Sequence, residues 1–490
     1  MIPWQAGPTR EALAARYGER TRWLVLLVLM IGTISSIISS TIVNVAIPDL
    51  SRTFTLTQAR AQWVSASFMI AMTLGMLLTP WLLLRLGLRR TFLGAVLLLG
   101  FGGLAGGLAH SYELVLMMRV TEGLAAGIMQ PLPNILILRA FEEREQGRAM
   151  SLFGFGVILA PAVGPSVGGV LVEALGWRSI FFVVLPFCVL AALLARRFMP
   201  VNSALMGERQ PLDWTGLLLI SAATIMLMNG LVEIMHAPAF GSGLLVGGAL
   251  ALGAFVFWQL RAAYPLVDMR LFSYRQFAMG AIVSFMYGAS LYGSTYLLPV
   301  YMQLGLGYTP THAGLLLLPA GICLAIVIVL AGRLIEIIRP YQQVTLGLAL
   351  LMASFLLMAT NSLATSYIVL VLWAVVGRIG LGLILPSLSI GAMRGVDFSL
   401  VSQGSSGISF IRQLGGAIGI SVCGIVLQWR LGMQGGEPVS AMAVDPAHRL
   451  AAFDDTFLFL GGLLGLAMLA AWRMRPAPAT ESLAGPADQP

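Results

Sequence analysis

A chain of 490 residues that is 58% hydrophobic and only 10% charged, with mean hydropathy +0.88, is excluded from the ordinary soluble class, in which about 25% of residues are charged. The formal net charge of +8 could suggest nucleic acid, but the basic residues sit in short pieces between apolar runs and all are arginine, so no nucleic-acid partner is expected. Cys188, Cys323 and Cys423 lie in apolar segments without metal spacing or an extracellular pairing pattern.

Residues 1–22 are polar and carry Arg10, Arg16, Arg20 and Arg22. The apolar run behind them is far longer than a signal core and is expected to stay in the membrane as the first span. Apolar runs near twenty residues then give roughly fourteen spans. They cover 23–48, 60–84, 91–109, 113–138, 149–174, 178–197, 214–235, 242–260, 277–303, 311–334, 342–360, 366–391, 404–430 and 456–473. This is an all-α polytopic pattern. With the N-terminus cytoplasmic, about 21 arginines fall in cytoplasmic segments and about 5 in outer ones, the asymmetry of positive-inside topology. Arg119, Arg378 and Arg412 fall within spans, and an even number of spans returns the C-terminus to the cytoplasm. The tail, 475–490, is Pro/Ala-rich and expected to be disordered.

The first span shows Gly32, Ser36, Ser40 and Asn44 at four-residue spacing. That stripe either lines a water-filled cavity or lets a second helix pack closely; Asn44 demands partners in lipid either way. The turn after the second span, LLLRLGLRR (Leu82–Arg90), supplies Arg85, Gly87, Arg89 and Arg90. On the fourth span a mid-membrane arginine costs roughly 2.5–3.5 kcal/mol even on the lenient scale, so Arg119 is expected to face the interior beside a partner. Glu122 is three residues on and can share its face; Gln130 and Asn134 follow lower down. The fifth span contains GFGVILAPAVGPSVGG (Gly154–Gly169). Its Gly164 and Gly168 make one bare face, while Pro161 and Pro165 favour a bend; with Gly154 and Gly169 they suggest either a pivot between bundles or simple tight packing. On the ninth span Tyr292 and Tyr296 share a face near Ser290, Ser294 and Thr295. The turn after the tenth, GRLIEIIRP (Gly332–Pro340), holds Gly332, Glu336 and Arg339.

An internal repeat links these pieces. Arg119-x-x-x-Gly123 with Pro131 on the fourth span matches Arg378-x-x-x-Gly382 with Pro386 on the twelfth, and the two arginine-bearing turns stand the same eight helices apart. Two six-helix bundles, 23–197 and 276–474, joined by a linker with two inserted helices over 198–275, would produce that offset.

GVILAPAVGPSVGG followed by GWRSIFFVVLP (Gly176–Pro186) resembles the antiporter signature of the major facilitator superfamily, and more narrowly its fourteen-helix drug–proton antiporter branch. STIVNVAIP (Ser40–Pro48), PLDWTG (Pro211–Gly216), PLVDMRLF (Pro265–Phe272), LLPVYMQLGLGYTPTHAGLLLLP (Leu297–Pro319) and FIRQLGGAIG (Phe410–Gly419) are similar to its other landmarks, in the same order. The resemblance implies a multipass plasma (inner) membrane exporter of hydrophobic or amphipathic compounds, driven by proton exchange through alternating access. It implies no enzyme activity and no cofactor beyond the proton as coupling ion. Where the cell has an outer membrane, a periplasmic adaptor protein and an outer-membrane channel are implied partners.

Two departures from the family accompany the match. Ser39 stands where the first span commonly has an aspartate near the fourth-span arginine, and Glu122 stands where glutamine is usual. Ser39 lies about nine residues, or roughly 13 Å, below the outer surface, and Glu122 lies at a similar depth. Glu122 is therefore expected to be the proton-binding carboxylate beside Arg119; the competing reading is a fixed structural ion pair. Ser36, Ser39, Ser40, Asn44, Gln130, Asn134, Tyr292 and Tyr296 are expected to line a central pocket with aromatic walls and few polar anchors. In the first cytoplasmic turn Pro80 and Leu84 replace the family's glycine and acidic residue, so a charge latch is better supported at Gly332, Glu336 and Arg339. Three other functions fit less well: an exporter or facilitator for one endogenous lipid or metabolite, a polytopic enzyme, and a transporter-derived sensor without flux. The loops offer no catalytic set, and His110, His236, His312 and His448 show no metal-ligand spacing.

Overall fold

The computed structural model describes residues 9–56, 58–201, 211–234, 237–433 and 445–475. The expected tail beyond Arg475 lies outside them. The described residues form helices, and no strand occurs among them. In chain order these are α1 (Arg10–Tyr17), α2 (Arg20–Thr53), α3 (Gln58–Gly107), α4 (Tyr112–Met129), α5 (Leu132–Ala140), α6 (Glu143–Leu175), α7 (Ser179–Phe182) and α8 (Val184–Phe198). There follow α9 (Trp214–Glu233), α10 (Pro238–Gln259), α11 (Arg275–Val300), α12 (Pro310–Leu334), α13 (Pro340–Met358), α14 (Tyr367–Gly391), α15 (Val401–Met433) and α16 (Pro446–Arg473). Ten helices among the described residues are long and apolar enough to cross a membrane.

Three boundaries differ from the sequence pattern for identifiable reasons. The second and third spans join into the 50-residue α3, because the turn between them is a single kink at Gly87 (φ 74°, ψ 168°), a conformation glycine adopts without strain. The fourth span is split into α4 and α5, because Pro131 removes an amide donor and starts a new helix. The polar start of α6, Glu143–Arg148, extends the fifth span by more than a turn outside the apolar run. Local caps fix other ends: Ser111 accepts from the Leu114 amide to start α4, and Gly176 (φ 80°) ends α6.

α2 to α8 pack mainly on one another, as do α11 to α16, while α9 and α10 pair and α9 leans on both α3 and α15. One core, with Leu26, Phe92, Leu99 and Met129, fills the first bundle. Another, with Phe277, Tyr301, Phe355 and Phe453, fills the second and continues across the seam to Phe68, Met72 and Met76 of α3. At the seam α6 runs along α12 and α14, and α15 along α3 and α5.

The seam is closed at the face where α2 begins. There Gly147 of α6 and Gly332 of α12 stand backbone to backbone, so that a Cβ on either would strike the other's carbonyl oxygen. Ser151 Oγ donates to the Ile328 carbonyl at 2.8 Å, and Arg139 Nη2 donates to the Phe398 carbonyl at 3.0 Å. At mid-height Gln413 Nε2 donates to the Met69 thioether at 3.3 Å. Toward the opposite face Asn44, Thr295 and Tyr296 are exposed.

Candidate functional site

The fourth-span arginine and glutamate meet as their spacing suggests. Arg119 Nη1 donates to Glu122 Oε2 at 2.6 Å, and both side chains are only 1% exposed. Nη1 also reaches the Ser39 carbonyl and Oγ of α2 at 3.2 Å each, Nε donates to the Val64 carbonyl of α3 at 3.1 Å, and the guanidinium stacks on Phe68 at 4.3 Å from the ring centroid. Space for the Glu122 carboxylate comes from α3, where a Cβ on Gly102 would stand 2.6 Å from Glu122 Cγ. Two buried charges are tolerable only when paired and hydrogen-bonded, and here α2, α3 and α4 supply that shell together.

The pair lies inside the first bundle, not in an open passage. The first half of α3 stands between it and the second bundle: Phe68 stacks on Arg119, while the next residue, Met69, accepts the seam bond from Gln413 of α15. A change in charge at Glu122 therefore has a packed route of one helix thickness to the seam.

The other residues expected around a central pocket separate into four groups. Ser36 and Ser40 are buried and donate to carbonyls of their own helix, Thr33 and Ile37, so they act as small packing residues. Asn44 is exposed and accepts from Ser65 Oγ at 2.7 Å, which supplies the partner that an amide in a span needs. Gln130 is half-buried at the α4–α5 break and Asn134 is buried. Tyr292 is half-buried and donates to Gln413 Oε1 at 3.3 Å, whereas Tyr296 is exposed.

The glycine motif divides between two neighbours. Gly164 and Gly168 face α2, where added Cβ atoms would lie 2.5 Å from Thr41 Oγ1 and Ile42 Cγ1 respectively; Gly154 faces Ile328 of α12 across the seam. Gly169 is half-buried, α6 is one continuous helix, and the side chains of Pro161 and Pro165 lie outside the described set. In the turns, Arg85 stacks on Trp81, Arg89 is buried and donates to the Arg196 carbonyl at 3.4 Å, and Arg90 is half-buried. Gly332 closes on Gly147, while Glu336 and Arg339 are exposed. They line a cavity of about 630 Å³ with Glu143, Arg144 and Arg394, and Glu336 forms no ion pair among the described residues. The closed seam carries the glycine contacts, the Ser151 bond and the Arg139 bond. Arg378 is buried and donates to Thr295 Oγ1 at 3.2 Å, and Arg412 is half-buried on α15.

Several contributors carried no visible sequence signal. Gly147, Ser151 and Gln413 act through contacts hundreds of residues apart, and Gly102 is one small residue among many. Asp213 at the start of α9 accepts from Trp258 Nε1 at 2.8 Å and Gln259 Nε2 at 2.6 Å, which ties the inserted pair together. No cluster of three metal-ligating side chains occurs among the described residues.

A family model described as Major Facilitator Superfamily matches residues 29–420. The chain belongs to the major facilitator superfamily. It is a multipass membrane transporter of that fold. It is similar to the multidrug resistance protein Stp of Mycobacterium tuberculosis, with 30% identity over 84% of this chain and 76% of the relative. Lincomycin resistance protein LmrB of Listeria monocytogenes is 28% identical over 80% of this chain and 84% of its own length. The solved proton:xylose symporter XylE superposes with a TM-score of 0.66 at 13% identity, covering 93% of this chain and 96% of that one, a likeness of fold alone.

Proposed function

We propose that the chain exports hydrophobic or amphipathic compounds in exchange for protons, with Glu122 as the proton-carrying carboxylate. The observation that carries this reading is a carboxylate–guanidinium pair 1% exposed inside the first bundle, one helix away from the seam. Protonating Glu122 removes the only anionic partner of Arg119 among the described residues and leaves it with Ser39, Val64 and Phe68. Arg119 must then draw α2 and α3 differently, and α3 carries Met69 at the seam. The drug-resistance names of relatives near 28–30% identity support drug-like cargo.

With the arginine-rich loops inside, both termini lie in the cytoplasm of a plasma (inner) membrane protein, and the closed face is the cytoplasmic one. The described conformation is then outward-facing, and Gly147, Ser151, Gly332 and Arg139 are contacts that must part to load cargo from inside. Where an outer membrane exists, a periplasmic adaptor and its channel would receive the product.

A second reading, export or facilitation of a single metabolite without proton coupling, is favoured by the partners that hold Arg119 besides the carboxylate, namely Ser39, Val64 and Phe68. Efflux of a dye and antimicrobial panel from cells expressing the protein separates the two. Proton exchange requires that a protonophore stop efflux, whereas efflux that ignores it selects the facilitator.

A further inference from the structure

The second bundle also holds Arg378 and Arg412 inside its spans, and among the described residues neither has a carboxylate partner. Arg378 lies about eleven residues, roughly 17 Å at 1.5 Å per residue, from the start of α14, and its exposure is 7%. Its one hydrogen bond among the described residues goes to Thr295. Arg412 lies on α15 where that helix closes on α11, so that a Cβ on Gly288 would strike the Arg412 carbonyl. Neither guanidinium forms an ion pair among the described residues.

A third donor lies on α11, the helix that both arginines meet. Tyr287 is 1% exposed, and its hydroxyl has no hydrogen-bond partner among the described residues. The next residue, Gly288, packs on the Arg412 carbonyl, and Thr295, about two turns further along, holds Arg378. The group borders the seam, because Gln413, the residue after Arg412, accepts from Tyr292 and donates to Met69 of the first bundle. Two guanidiniums and an unpartnered phenol supply donors and positive charge but no anion. Such a cluster is costly to bury unless something brings the missing negative charge. Arginine forks match planar or tetrahedral oxyanions bidentately, and the adjoining seam carries Tyr292 and Met69, one aromatic and one apolar.

We propose that Arg378, Arg412 and Tyr287 form the head-group site for an anionic amphipath, a carboxylate, sulfonate or phosphate on an apolar body, held near mid-height between the bundles. This deepens the export reading and rests on it for the direction of movement, but binding at the site does not require proton coupling.

The test uses the full chain in nanodiscs and in vesicles of phosphatidylcholine, with two permanently charged probes that share an apolar body: naphthalene sulfonate and naphthylmethyl trimethylammonium. The sulfonate should raise the thermal unfolding midpoint and cross the vesicle membrane with kcat/KM at least tenfold above that of the ammonium probe. Arg412→Gln and Arg378→Gln should each cut sulfonate kcat/KM at least tenfold, mainly through KM, with Arg412→Lys recovering much of the loss. Inhibition of sulfonate flux by added phosphatidylglycerol would place a lipid head group at the site, and no inhibition a soluble cargo. Equal or better transport of the ammonium probe, with flux indifferent to both arginines, would overturn the site while leaving the export reading intact. If neither probe moves, export fails for these cargoes, and the midpoint shift decides the site: a sulfonate-specific shift lost in Arg412→Gln upholds it, and no shift rejects it.

Discussion

Arg119 and Arg378 occupy matching places in the two bundles. Each stands four residues before a glycine that lets its helix close on a corresponding neighbour, Gly123 on α3 and Gly382 on α12. Each also reaches a hydroxyl on the first helix of its bundle, Ser39 of α2 and Thr295 of α11. The difference is one turn away. Three residues after Arg119 comes Glu122, buried against it; three residues after Arg378 comes Leu381, equally buried and unable to neutralise anything. The same backbone arrangement therefore gives a self-contained ion pair in one half and an uncompensated cation in the other. A self-contained pair can store or release a proton. An uncompensated cation calls for an external anion.

The largest effects should come from breaking the pair. Glu122→Ala leaves Arg119 buried without an anionic partner, at a cost of about 3–5 kcal/mol, read as a fall in the thermal unfolding midpoint in detergent. Arg412→Met, by contrast, should hold or raise that midpoint, since it removes a charge that no carboxylate compensates. Equal losses from the two substitutions would erase the contrast between the bundles. Leu381→Glu copies the first half into the second: with a carboxylate beside Arg378, naphthalene sulfonate binding should fall at least tenfold while the protein stays folded.

A smaller effect is expected at the seam. Gly332→Ala places a Cβ against Ser151 Oγ and the Gly147 carbonyl, a misfit of about 1–3 kcal/mol against the closed face. Labelling of a cysteine at Ser151 should rise as that face opens; unchanged labelling would mean the glycine contact does not hold the seam.

The smallest lies outside the membrane-spanning segments, at the entry to the second bundle. Asp268 caps a short turn and binds Arg270 with both carboxylate oxygens, and this bonding holds its pKa below the usual carboxylate value. A depressed folded-state pKa contributes stability that is complete above the free-aspartate value of about 3.9 and is lost as pH falls below it. Asp268→Asn should cost about 1 kcal/mol near neutrality and flatten the acid limb of a stability–pH profile. An unaltered limb would show that the bond contributes nothing.

Much of the helix order was legible because lipid forces long apolar runs and backbone self-satisfaction. The contact between Arg119 and Glu122 was legible from helical spacing, and the bare face of Gly164 and Gly168 from its four-residue period. What period and composition do not carry is the partner. Gly164 and Gly168 pack on α2 of their own bundle, whereas the seam uses Gly147, Ser151 and Gly154 from the other end of the same helix. Ser36 and Ser40 read in sequence either as cavity polarity or as close packing, and their hydroxyls donate to carbonyls of their own helix. The turn after the tenth span suggested a charge latch; in the structure Glu336 is exposed, while Gly332 packs on Gly147 and Ser151. Position along a helix was readable; the neighbour across it was not.

The most direct measurement is proton-driven transport by Glu122→Gln in proteoliposomes. The amide keeps the shape and a hydrogen bond to Arg119 but cannot carry a proton. With a pH gradient imposed, the native chain should accumulate a transported probe, and Glu122→Gln should only equilibrate it, at a rate no longer dependent on pH. Accumulation by Glu122→Gln that matches the native chain and still follows the gradient would contradict the coupling role and leave Arg119–Glu122 a structural pair.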